Sequence, residues 1–227
     1  MTSPGSRRVI GMDAWTKGWV AVSLLDGAFA GASIHPTAAG AIEAAKDASA
    51  IGIDIPIGMP SDGVRQADVA ARGRVGPRRS SVFNVPPRPV IEAEPYAAAN
   101  RLSKERYGRG LSRQSYALRD KVLEVDMIAR GDKRIFEVHP EVTFAKMSDH
   151  TLQYKKTWDG MNARRRLLRA AGIDLPADLG PVGVVPVDDI LDAAAVAWTA
   201  DRIAKGTAEA IPAETEFDGN LRMAIWV

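Results

Sequence analysis

Apolar residues at the start of the chain gather in short runs that end abruptly on a charge or a turn. Val9-Ile10-Gly11-Met12 stops at Asp13, and the run from Trp19 to Leu25 stops at Asp26-Gly27. Asp-Gly between two apolar runs signals a tight hairpin, so Ala28 to Ile34 supplies the returning strand. Thr37 to Ala48 shifts to helical spacing, with Thr37 placed to act as N-cap. Ile51 to Ile55 then reads as a short buried strand carrying Asp54. A strand reached through a helical crossover lies parallel to its neighbour, with the helix packed on the sheet.

Beyond Gly58 the pattern changes. Helices are predicted over Ser61 to Arg72, Tyr96 to Glu105 and Ser112 to Arg130, around an irregular Gly/Pro-rich stretch from Gly73 to Pro89. A strand pattern returns at Arg134 to Val138. Asn162 to Ala171 reads as a helix closed by Gly172, and Asp188 to Lys205 as a longer one closed by Gly206. Asp218-Gly219-Asn220 turns into a last short strand, Leu221 to Val227. Neither a repeat nor a linker divides the chain. The expectation is one α/β domain over residues 1–227, with residues 58–133 as a helical and loop insertion.

Composition narrows the chemistry. At 227 residues and 46% hydrophobic content the chain can bury a sizeable core. The absence of cysteine excludes disulfides, thiolate zinc sites and a cysteine nucleophile. His35, His139 and His150 are too scattered for a zinc cluster. The polar first eight residues and the lack of a bilayer-length apolar run imply a cytoplasmic protein without a membrane partner. Nothing in the sequence fixes the oligomeric state, a homodimer included.

Net charge is only +2, but its distribution is uneven. Residues 65–88 hold six arginines against one acid, Asp68, and residues 101–121 hold seven Lys/Arg against Glu105 and Asp120. A third basic group, Lys155, Lys156, Arg164, Arg165, Arg166 and Arg169, faces only Asp159. The segment from Asp174 to Asp218 reverses the sign. Such polarity either attracts a polyanion to one face or decorates solvated helices.

Four aspartates carry the sharpest signal. Asp13 and Asp54 stand at or near strand ends, and Asp189 and Asp192 share one face of the Ala-rich helix because residues three apart project together. Asp13 can serve a turn by bonding backbone amides. Asp54 is less easily explained that way, since a carboxylate among isoleucines needs hydrogen bonds, a counter-charge or a metal. Asp188 suits a helix cap, and acids in a first helical turn favour the macrodipole. Convergence of the four would suit a hard divalent cation. Glu137, at the end of the returning strand, is a further candidate ligand. His139 is either a proton shuttle or part of a strand-to-helix turn in which Pro140 and Glu141 open a helix.

The segments Val9-Ile-Gly-Met-Asp13, Ile53-Asp54-Ile-Pro56, Arg65-Gln-Ala-Asp68-Val-Ala-Ala-Arg72, Ser80-Ser-Val-Phe83, Glu137-Val-His-Pro-Glu141 and Asp189-Ile-Leu-Asp192-Ala together resemble the domain of unknown function 429 family of predicted RNase H-like nucleases. The final Asp-x-x-Asp also resembles RuvC-like junction resolvases. The resemblance implies an RNase H-like mixed sheet, with a three-stranded antiparallel start, then parallel strands and flanking helices. It further implies a metal-dependent nuclease in which Asp13, Asp54, Asp189 and Asp192 hold Mg2+ or Mn2+, ions roughly 3.5–4 Å apart in two-metal hydrolysis.

A nucleic-acid partner would be held by the basic insertion. Arg72, Arg78, Arg79 and Arg88 with Ser80 can contact phosphates, and Phe83 can stack on a base. The competing reading folds this segment over the site, pairs its arginines with the aspartates and leaves room for a small phosphorylated ligand. A third reading retains the scaffold for binding alone.

Overall fold

The computed structural model describes residues 5–82, 84–148 and 150–227. Strands β1 (Arg8–Trp15), β2 (Gly18–Leu25) and β3 (Ala28–His35) form an antiparallel meander. Strands β4 (Ala50–Ile53) and β5 (Ile135–Glu137) extend it in parallel, giving the order β3-β2-β1-β4-β5. Antiparallel strands followed by parallel ones, flanked by helices, is the architecture expected from the sequence. Asp26 and Gly27 both adopt positive φ, 53° and 88°, as a type I′ hairpin turn requires.

Side chains alternate across the sheet. Ile10, Met12, Ile51 and Ile53 point to one face, where α1 (Ala38–Glu43) and α6 (Arg119–Ala129) cover them. The opposite face, with Val9, Val20 and Val22, packs against α9 (Val187–Ala204). Between β4 and β5 lie α2 (Gln66–Val75), α3 (Arg88–Glu92), α4 (Tyr96–Tyr107), α5 (Arg113–Ala117) and α6. After β5 come α7 (Pro140–Met147) and α8 (Trp158–Ala170), and after α9 a hairpin of β6 (Ala210–Asp218) and β7 (Leu221–Trp226). A parallel bridge from Val138 to Trp226 ties this hairpin to the sheet beyond β5.

Several boundaries differ from expectation for identifiable reasons. β4 ends at Ile53, so Asp54 stands just beyond the strand, its N–H donating to Met12 O at 2.9 Å. Arg-rich Gly73–Pro89 is less irregular than its composition suggests, because α2 continues to Val75 and a 3-10 turn covers Gly76–Ser81. α8 begins four residues before Asn162, where Thr157 Oγ1 accepts from Gly160 N at 3.1 Å. β6 went unrecognised in the sequence: Pro212, Glu214 and Glu216 hide any apolar alternation, and β7 supplies the pairing.

The position of α9 depends on two glycines. Gly11 and Gly52 are register partners on adjacent strands. A Cβ at Gly11 would lie 2.1 Å from Ala197 N and 2.2 Å from Ala193 O. One at Gly52 would lie 2.7 Å from Val196 Cγ1 and 3.0 Å from Val196 O. The helix therefore rests on bare backbone, and its own contacting residues are small. Gly11→Ala should lower stability by about 3 kcal/mol or more, since the clash is with backbone that cannot rotate away. A urea denaturation midpoint equal to wild type would show that the close approach is absent.

Candidate metal centre

The same alternation that turns Gly11 toward α9 turns Asp13 toward it as well, two residues further along β1. Asp54 leaves the end of the neighbouring strand. Asp192 lies in the turn of α9 that precedes Val196 and Ala197, the residues lying on the glycines. Each of the three offers a carboxylate oxygen, and these oxygens lie within 4.8 Å of one another. The group sits at the edge of the sheet where the parallel strands end, facing the N-terminal turns of α9.

Asp13 and Asp192 are buried and Asp54 is partly so. Asp13 Oδ1 accepts from Ala14 N at 2.6 Å. Asp192 Oδ2 accepts from Lys155 Nζ, while its Oδ1 is buried with no hydrogen-bond partner among the described residues. A buried oxygen left without a donor is costly. An all-carboxylate donor set around such an atom fits a hard divalent ion such as Mg2+ or Mn2+. These residues are able to hold one.

Lys155 is the residue that sequence reasoning missed. It was visible only as one member of a basic run, and its sequence neighbours give no hint that it reaches Asp192 and comes within 3.7 Å of Asp188. Its placement follows from Arg164, a buried guanidinium that donates to Gln153 O, Gly160 O and Glu141 Oε1 at 2.9, 3.0 and 2.6 Å. Those bonds hold the 153–157 turn against α7 and α8. The cation beside the aspartates is thus a lysine, and no arginine of the 65–88 segment pairs with Asp13, Asp54, Asp189 or Asp192 among the described residues.

The other candidates divide. Asp189 lines the cleft but stays outside the close group of three. Glu137 reaches the cleft wall, yet Arg65 Nη1 donates to its Oε2 at 2.7 Å, Arg65 Nη2 to its Oε1, and Ile57 N to Oε2 at 2.8 Å. Arg65 also holds Asp68 Oδ1 at 2.7 Å, and Asp68 Oδ2 accepts from Val85 N at 2.7 Å. This buried Asp68–Arg65–Glu137 triad joins α2 to the end of β5. Glu137 thereby anchors an arginine rather than joining the three grouped carboxylates. Arg72 donates to Val82 O, Arg78 to Leu152 O, and Arg88 pairs with Asp126, Asp218 and Glu92. Arg79 is exposed and Ser80 lines the cleft; Phe83 lies outside the described residues.

His139 opens α7 at its N-cap, with Pro140 and Glu141 in the first turn, so the structural reading of this segment holds. Its Nε2 lies 3.3 Å from Ser81 O, a carbonyl that can only accept, which leaves Nδ1 unprotonated and without a partner. Burial pushes its pKa down, so the ring is neutral at neutral pH.

An α/β protein with three aspartates at the C-terminal edge of its parallel strands, able to hold a divalent cation, is the class defined so far. The chain belongs to the family described as Protein of unknown function (DUF429), which matches residues 11–216. No curated protein and no solved structure matches it.

Burial, followed by the mutual repulsion of the acids, raises the pKa of Asp13. Burial raises Asp54 and Asp192 to about 7, against the opposing attraction of Lys155. A carboxyl with a raised folded-state pKa holds its proton longer in the native state than in the unfolded chain. Its stabilising contribution is complete below about pH 4 and is lost as pH rises to about 7. A bound divalent ion replaces those protons. Metal-free protein should therefore lose Tm between pH 5 and pH 8. Mg2+ or Mn2+ at about 100 times its Kd should restore about 5–10 °C at the upper end and less at the lower end. Asp54→Asn should flatten both trends. A pH-independent Tm with no response to either ion would contradict the site.

The triad makes a separate prediction. Arg65→Met leaves Asp68 and Glu137 buried without their cation, which should cost about 3–5 kcal/mol in denaturant melts.

Proposed function

We propose that the protein is a divalent-metal-dependent hydrolase of phosphodiester bonds in nucleic acid, built on an RNase H-like scaffold of the RuvC-like branch. The observation that carries this reading is the convergence of Asp13, Asp54 and Asp192 from two strand ends and one helix into a group with an unpaired buried oxygen. These three would hold Mg2+ or Mn2+, with Asp189 beside them on the same helix. An ion held there would supply Lewis-acid polarisation of a phosphoryl oxygen and a water acidic enough to attack near neutral pH. Around it, neutral His139 offers Nδ1 as a proton acceptor. Lys155, bonded to Asp192 here, would offer its positive charge to a phosphate if a cation were held by that carboxylate instead. Arg78, Arg79 and Ser80 lie on the segment bordering the cleft, where they can position the rest of the backbone. Arg72 supports that segment through its bond to Val82 O, whereas Arg88 ties α3 to α6 and the terminal hairpin.

A second reading is favoured by the dimensions of the cleft. The part enclosed by Asp13, Asp54, Arg65, Gln114, His139 and Lys155 measures about 340 Å3. That volume accommodates a single nucleotide, so a small phosphorylated ligand is the alternative substrate.

Cleavage of labelled single-stranded DNA, duplex DNA, RNA, an RNA–DNA hybrid and a four-way junction, in Mg2+ or Mn2+, separates the two. Wild type should cleave at least one of them, and Asp54→Asn should slow it on the order of a hundredfold or more, because several kcal/mol of charge stabilisation is lost. Inactivity on every polymer, with hydrolysis of a nucleotide or dinucleotide, would establish the second reading instead.

A further inference from the structure

The arginines expected to grip nucleic acid are largely engaged inside the protein, which shifts attention to the third basic group. Arg72, Arg78 and Arg88 bond to carboxylates or carbonyls of the chain itself, and only Arg79 of that set stays exposed without such a bond among the described residues. On α8 the situation is different. Gly160, Arg164 and Leu168 form the buried side of this helix. Trp158, Asn162, Arg165, Arg166 and Arg169 recur at spacings of three and four on the opposite side. Trp158 is 76% exposed, an unusual setting for the largest apolar side chain. Among the described residues Arg165 and Arg166 have no ion-pair partner, and Arg169 meets only exposed Asp174 at 2.9 Å.

This stripe leads to the metal centre. The turn before α8 carries Lys156, exposed and 3.7 Å from Asp188, and Lys155, which bonds Asp192. Next to it Tyr154, 51% exposed, lines the cleft together with Asp54 and Asp192. Two accessible aromatic rings and four free or loosely held cations thus run from the helix surface to the aspartates. We propose that α8 and the 154–158 turn form a track for single-stranded nucleic acid, with Trp158 stacking on an unpaired base and Lys156, Arg165 and Arg166 contacting phosphates. Stacked bases of a duplex hide their faces from a side chain, whereas a single strand exposes them. The alternation of exposed aromatics and cations therefore selects unpaired strands. This inference rests on the nucleic-acid reading of the same site, and it concerns binding, which needs no cleavage.

Binding of the full chain to a fluorescein-labelled 20-residue single strand and to its duplex, by anisotropy in EDTA across a salt series, tests it. Trp158→Ala should weaken single-strand binding about 5- to 150-fold and duplex binding less. Arg165→Glu with Arg166→Glu should lower the slope of log K against log salt by about 1.4, the loss of two single-strand phosphate contacts. Arg101→Glu with Lys104→Glu, on the exposed side of α4, should leave affinity near wild type. Both α8 variants binding like wild type, or the α4 variant losing as much as the α8 pair, would overturn the track. So would absence of wild-type binding at low salt, or equal α8-dependent retention on phosphatidylserine vesicles. Binding that depends on α8 without any metal-dependent cleavage would uphold the track and defeat the hydrolase reading alone.

Discussion

Direct contact between α9 and the backbone of β1 and β4 is the constraint from which the metal centre follows. Gly11 and Gly52 remove the side chains that would hold the helix at an ordinary helix-to-sheet distance, and the buried alanines of α9 complete the fit. Helix, strand and register are then fixed to within the tolerance of close-packed atoms. Asp13 and Asp54 lie two residues beyond the glycines, and Asp192 adjoins Ala193 one helical turn before Val196. A larger residue at either glycine would separate the carboxylates as well as loosen the core. Stability and the capacity to hold a cation are therefore set by the same contact.

Close packing of acids carries an electrostatic cost, and the protein offsets it in two different ways. Around the three aspartates a single lysine supplies the countercharge among the described residues, so negative charge remains in excess and the acids retain protons well above their ordinary range. Deeper in the wall, Arg65 shares its one positive charge between Asp68 and Glu137, and the carboxylate oxygens there are hydrogen-bonded by Arg65, Ile57 N and Val85 N. The first arrangement is left unbalanced and can accept a dication. The second has every carboxylate oxygen bonded to a donor and joins the helical segment to the sheet. The difference between a ligand set and a structural ion cluster lies in this accounting of charge and donors, since the residue types are the same.

Elements with a local cause were legible in the chain. Asp26-Gly27 dictates its hairpin turn, Thr37 caps α1 by accepting from Gly40 N at 3.1 Å, and the apolar runs of β1 and β2 announce buried strands. Asp13 and Asp54 stood out because carboxylates at the ends of apolar runs are expensive unless partnered, and Asp192 stood out with Asp189 because acids three apart share a helical face. β6 was not legible, because its polar, proline-containing sequence is a strand only through β7. Glu137 stood at a strand end like Asp54, and nothing in its neighbourhood revealed that Arg65, 72 residues earlier, takes both of its oxygens.

By itself, then, the sequence determined the types of those elements that carry a local signature, the meander followed by a parallel strand, and the short list of acids able to matter, since these depend on periodicity, turn chemistry and burial cost. Tertiary structure decided which acids meet each other and which meet a cation. Lys155 reaches Asp192 because Arg164 fixes its turn, and Glu137 meets Arg65 because the N-terminus of α2 is brought against the end of β5. Charge pairing acts through space between residues far apart in the chain, and no local pattern encodes its partners.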